Sequence, residues 1–169
     1  VFLSGRKKYL GQSNYSYNNK ALTAAGGLTS LFTLKNCTTF NTVANKSLAR
    51  ITSISLSSGN LGNNAFGYLF LIKNATLGGT PAYAAENGTT ADGGVTITNG
   101  QSPISIDTAG TTVTGGTGVW GTNGIQNSNA FLDISQEDIF IAPGETLTIA
   151  GLVTANASLS AVLNKILDI

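Results

Sequence analysis

The chain has 169 residues, enough for one domain with a substantial core, and a net charge of +1. Charged residues are only 10% of it, against roughly 25% in ordinary soluble domains, so hydroxyls and amides must supply most of its polar surface. With 41% apolar residues this balance excludes a disordered chain, and the lack of a strong basic excess makes nucleic acid an unexpected partner.

The missing residue types narrow the chemistry. There is no histidine, which removes the usual general base and the commonest zinc ligand. Cys37 is the only cysteine, so no disulfide forms within one chain, and a small buried hydrophobe is its expected role. A glycosidase can work with two carboxylates, but Glu86, Asp92, Asp107, Asp133, Glu137, Asp138, Glu145 and Asp168 read as turn and strand-end residues. No enzymatic activity is expected, and no catalytic residue, cofactor or metal site. The longest strongly apolar run, Tyr68 to Ile72, is far short of the roughly 20 residues of a membrane span, so membrane insertion is not expected.

In chain order, residues 1–27 are rich in Tyr, Asn and Gly without sustained periodicity and read as an extended N-terminal arm. Arg6, Lys7, Lys8, Tyr9, Tyr15 and Tyr17 make that arm a candidate interface. Every Lys and Arg up to Lys73 precedes the first acid, Glu86. Either the basic arm meets an acidic face of a neighbouring copy, or early and late strands interleave and the charges are ordinary solvated residues. Residues 28–169 read as one all-β domain, a β-sandwich or a barrel. LTSLFTLKN (28–36) predicts a strand. In NKSLARITSISLSSGN (45–60) the apolar set changes faces near Ile51 and Thr52, which predicts a strand with a bulge there.

GNLGNN (59–64) has turn chemistry. AFGYLFLIK (65–73) sets Phe66, Tyr68, Phe70 and Ile72 against Leu69 and Leu71, predicting a central strand covered on both faces. Residues 83–94 read as a loop. Short strands are predicted at 95–98, 104–106, 117–120, 130–134, 138–142 and 145–153, with turns at roughly the 8 to 12-residue spacing of sandwiches and barrels. Trp120 is a further candidate contact residue. The glycine-rich DTAGTTVTGGTGVWG (107–121) lacks the lysine and following helix of a phosphate loop and reads as a strand-closing segment. Pro143 and Gly144 fit a type II turn. In SLSAVLNKILDI (158–169), a helical stripe through Leu159, Val162, Leu163, Ile166 and Leu167 competes with a strand face of Leu159, Ala161 and Leu163.

The segments LIKNATLGGTPAYAAENGTT (71–90), DTAGTTVTGGT (107–117), DIFIAPGETLTIAG (138–151) and LNKILDI (163–169) resemble, in phrase and order, a recurrent type of small virion structural protein of tailed bacteriophages. The resemblance spans about residues 45 to 169. In such proteins the closing segment is a strand, often with tryptophan where this chain has Lys165 and two acids where it has Leu167 and Asp168. The resemblance implies an all-β fold, an antiparallel β-sandwich of jelly-roll type, ending in a strand. It also implies a non-enzymatic role on the virion as a capsid decoration, fibre or tail-associated module, and supplies no binding residues. The expected partners are copies of itself and other virion structural proteins, with a cell-surface glycan as a further candidate. Two alternatives stay open. One is an extracellular fibre or pilus subunit that polymerises by adding its N-terminal arm to a neighbour's sheet; the other is a carbohydrate-binding module in which Trp120 and the tyrosines stack on sugars.

Overall fold

The computed structural model describes residues 9–59, 65–86, 89–98, 100, 102–122 and 126–168. They form an all-β body of seventeen strands with three short 3-10 turns. The first half holds β1 (Tyr9–Leu22), β2 (Thr29–Asn36), β3 (Thr39–Phe40), β4 (Val43–Ala44), β5 (Leu48–Gly59), β6 (Gly67–Lys73), β7 (Thr76–Leu77) and β8 (Tyr83–Ala85). The second holds β9 (Thr89–Ala91), β10 (Thr96–Thr98), β11 (Ile104–Asp107), β12 (Val113–Thr114), β13 (Thr117–Gly121), β14 (Asn129–Asp133), β15 (Phe140–Ile141), β16 (Thr146–Val153) and β17 (Ala157–Asp168).

Two antiparallel sheets carry the fold. The first runs β1-β17-β5-β14, with β15 also pairing with β5; the second runs β13-β6-β16-β2-β11-β8. Two smaller sheets, β4-β3-β10-β9 and β12-β7, complete it. Ile51, Ile54, Leu159 and Leu163 of the first sheet and Leu31, Leu34, Leu69, Leu71, Leu147 and Ile149 of the second belong to one buried cluster. Early and late strands therefore interleave, and the lopsided charge order does not become two charged halves. Lys73, at the end of β6, meets Glu145 at 2.7 Å.

Local sequence explains the strands that position the outer surfaces. β5 buries Ala49 and Ile51, then Ile54 and Leu56. The change of phase is a bulge: Lys165 pairs with Ile51 and Asn164 with Ser53, leaving Thr52 over. The Thr52 Oγ1 donates to the Asn164 carbonyl at 3.3 Å. β17 alternates buried and half-buried residues along its whole length. Its helical stripe is overruled because β1 and β5 pair with it on both sides, so tertiary context decides. In β6, Leu69 and Leu71 enter the core, while Ile72 joins Val113 and Ala150 in a second buried cluster against which Phe70 packs. The strand is covered on both faces as expected, but β16 and β2 are the central pair.

Residues 83–94, expected to be a loop, contain β8 and β9. Each has three residues and docks on an edge, β8 on β11 and β9 on β10. Pairings this short leave no periodicity in a sequence. The predicted turn at 59–64 lies largely outside the described residues. Gly144 has φ 89 and the Glu145 N–H donates to the Ala142 carbonyl at 2.9 Å, as a type II turn requires. The glycine-rich stretch becomes β12 and β13, antiparallel to β7 and β6. Between them a Cβ on Gly116 would lie 2.6 Å from the Lys73 carbonyl oxygen, a close approach that only glycine allows. Of the expected arm, residues 9–22 form the edge strand β1, paired with β17 of the same chain.

Candidate interaction surfaces

Small side chains open a trough on the outer face of the first sheet. Ile54 and Leu56 of β5 point into the core, so Ser55 and Ser57 face outward. Register places Phe131 of β14 and Val162 of β17 on either side of Ser55, and Asn129 and Ser160 on either side of Ser57. Neighbouring strands lie roughly 4.8 Å apart, so the two walls stand about 10 Å apart over a floor of serine side chains. The trough has a volume of about 520 Å³, and no ionisable side chain lines it. Phe131 is 68% exposed, more than any other large apolar side chain among the described residues. Nearby, the Asn164 Nδ2 donates to the Ser53 Oγ at 2.8 Å. A second cleft, about 380 Å³, is lined by Lys73, Glu137, Asp138 and Phe140 among others, but its lysine is already held by Glu145.

The other notable surface is an edge. β1 has 14 residues, and among the described residues no strand pairs with its far side. The edges at β14, β13 and β8 have only five, five and three residues. Two register shifts interrupt the β1 ladder, between Tyr9 and Gly11 and between Tyr17 and Lys20. Past the second, the Lys20 Nζ donates to the Thr108 carbonyl at 3.2 Å.

Of the candidate contact residues, Arg6, Lys7 and Lys8 lie outside the described residues. Tyr9, Tyr15 and Tyr17 occupy β1 positions opposite Asp168, Leu163 and Ala161. Trp120 is on β13 in the other sheet, opposite Leu71, half-buried and packed against the core. These positions are thus divided between two sheets. The exposed aromatic that sequence reasoning missed is Phe131, although NAFLD carried the signal: Ala130 and Leu132 alternate with exposed Asn129, Phe131 and Asp133.

Several charged side chains are interior anchors, among them Glu86 and Asp107, which read as turn and strand-end residues in the sequence. Lys165 is fully buried, and its Nζ donates to the Glu86 Oε1 at 2.6 Å, while the Ser102 Oγ donates to the Glu86 Oε2 at 2.8 Å. Asp107, also buried, accepts from the N–H groups of Ala82, Ala109 and Gly110 at 2.6, 3.2 and 2.9 Å. Beside it, burial pushes the Tyr83 hydroxyl up to about 12, with the Asp107 charge adding to the effect. The Lys35 Nζ lies 5.2 Å from the centre of the Tyr83 ring. At Glu145, burial works to raise the carboxyl, but bonds from Lys73 and the Ala142 N–H outweigh it and hold the group below the usual range. Burial likewise pushes the Cys37 thiol up, outweighing the Ser105 hydrogen bond, and Cys37 is the buried hydrophobe its isolation predicted. Among the described residues no three His, Cys, Asp or Glu side chains gather as a metal site, and no helix is long and apolar enough to cross a membrane.

Comparison with models of known families, with curated proteins and with solved structures found no match.

Proposed function

We propose that this chain is a non-enzymatic structural subunit of a virion, working by association with copies of itself and with other structural proteins. The observation that carries the proposal is the far edge of β1, which no strand covers among the described residues and which belongs to the longest strand among them. A strand edge presents a row of backbone N–H and C=O groups ready to pair with another chain, and monomers usually keep such edges short, charged or covered. Low ionic content supports the same reading, since the centres of protein interfaces are depleted of charge. On this reading the two-sheet body is a jelly roll. Residues 1–27 are its assembly arm, with Arg6, Lys7 and Lys8 steering it toward the acid-richer segments of a neighbour.

Light scattering on the purified chain tests the proposal. It predicts a defined multiple of the single-chain mass, reduced to one chain by Asn14→Lys/Ser16→Lys, because lysines on an edge oppose further pairing. A single chain at every concentration overturns it. Among the described residues β1 pairs with β17 alone, which also favours exchange of β1 between copies, as in a fibre or pilus subunit. Cysteines at Ser16 and Val162, which lie opposite each other, separate the two modes: a bond within one chain means edge-to-edge association, and a bond between chains means exchange.

A further inference from the structure

We propose that the trough over β5 is a binding site for a neutral oligosaccharide, lying along the strand between Phe131 and Val162. The hydroxyls of Ser55 and Ser57 on its floor have no protein partner among the described residues. Each can donate and accept, as can the Asn129 amide on the wall, and sugar hydroxyls have the same double capacity. Phe131 adds an exposed aromatic face whose negative quadrupole suits the C–H face of a pyranose ring. The volume of about 520 Å³ falls within the roughly 300–1,000 Å³ of ligand sites.

Two other occupants fit worse. An anionic ligand meets no cation in the lining. A peptide gains little, because the β5 backbone is already paired with β17 on one side and β14 on the other, and strand addition takes place at sheet edges. Phe131, not Trp120, is therefore the stacking residue, since Trp120 packs on the core from the other sheet. The site is also distinct from the assembly edge, because β1 lies on the far side of β17 from β5.

An array of neutral glucan, galactan and mannan oligosaccharides beside uronic-acid and sialylated ones tests the proposal, with calorimetry on each binder. The expected result is binding to at least one neutral member, weakened about tenfold or more by Phe131→Ala and abolished by Ser57→Gln, which fills the trough. Phe131 is 68% exposed, so its truncation leaves the core intact. No neutral binder, binding to acidic members alone, or binding that survives both substitutions overturns the proposal. Light scattering on Phe131→Ala keeps it separate from the assembly reading: the mass stays that of the parent chain, and a fall to a single chain shows that a second copy occupies the trough and overturns the sugar site.

Discussion

Lys165 occupies a position that β17 otherwise fills with Ala157, Leu159, Ala161, Leu163 and Leu167, all buried. Its charge is answered by Glu86, which Ser102 in turn holds. Such a pair contributes little net stability against an apolar replacement, but removing one member strands the other. Lys165→Met should therefore lower the unfolding free energy by about 3–5 kcal/mol, and Lys165→Met/Glu86→Gln should recover most of it. Urea denaturation reads both, and equal losses would show that the pairing is not the cause. The alternation of LNKILDI put Lys165 on the inward face. Nothing local identified its partner 79 residues away. Phe131 was legible in the same way, as the outward residue of a two-residue period, yet its importance appears only when β5 places serines beside it.

At the scale of elements, a period of two with turn residues between runs was enough to find β2, β5, β6, β10, β11, β13, β14 and β16, and the phase change at Ile51 and Thr52 located the bulge. Pattern failed where pairing partners decide. β17 carries a helical stripe that two flanking strands override, and β8 and β9 exist because β11 and β10 offer edges. β16 shows a subtler limit. Its threonines alternate with Leu147 and Ile149, yet Thr148 is fully buried as well, its Oγ1 3.0 Å from the Thr33 Oγ1. The turn before β16 was fully legible from Pro143 and Gly144. With φ 89 at Gly144, Gly144→Val should destabilise by about 1–3 kcal/mol, whereas Gly144→Asn should be milder because asparagine tolerates the left-handed region. Thermal melting of the two variants distinguishes a backbone effect from loss of space beside Thr38.

For the whole molecule, interleaving turns a lopsided charge order into scattered partnerships: Lys73 with Glu145, Lys20 with the Thr108 carbonyl, Lys35 over Tyr83. The all-β class could be anticipated from strand spacing. The placement of residues 9–22 as an edge strand could not, because a Tyr- and Asn-rich run has no strong period and the pairing with β17 spans the full length of the chain. That edge is where the functional account rests. Residue-resolved amide hydrogen exchange across β1, at concentrations where the chain associates, tests it most directly. In an isolated chain the amides of residues 11–17 that face away from β17 meet no other strand among the described residues, and such amides exchange quickly. The account predicts slow exchange at every one of these amides in the assembled protein; an alternating pattern of slow and fast sites would contradict it.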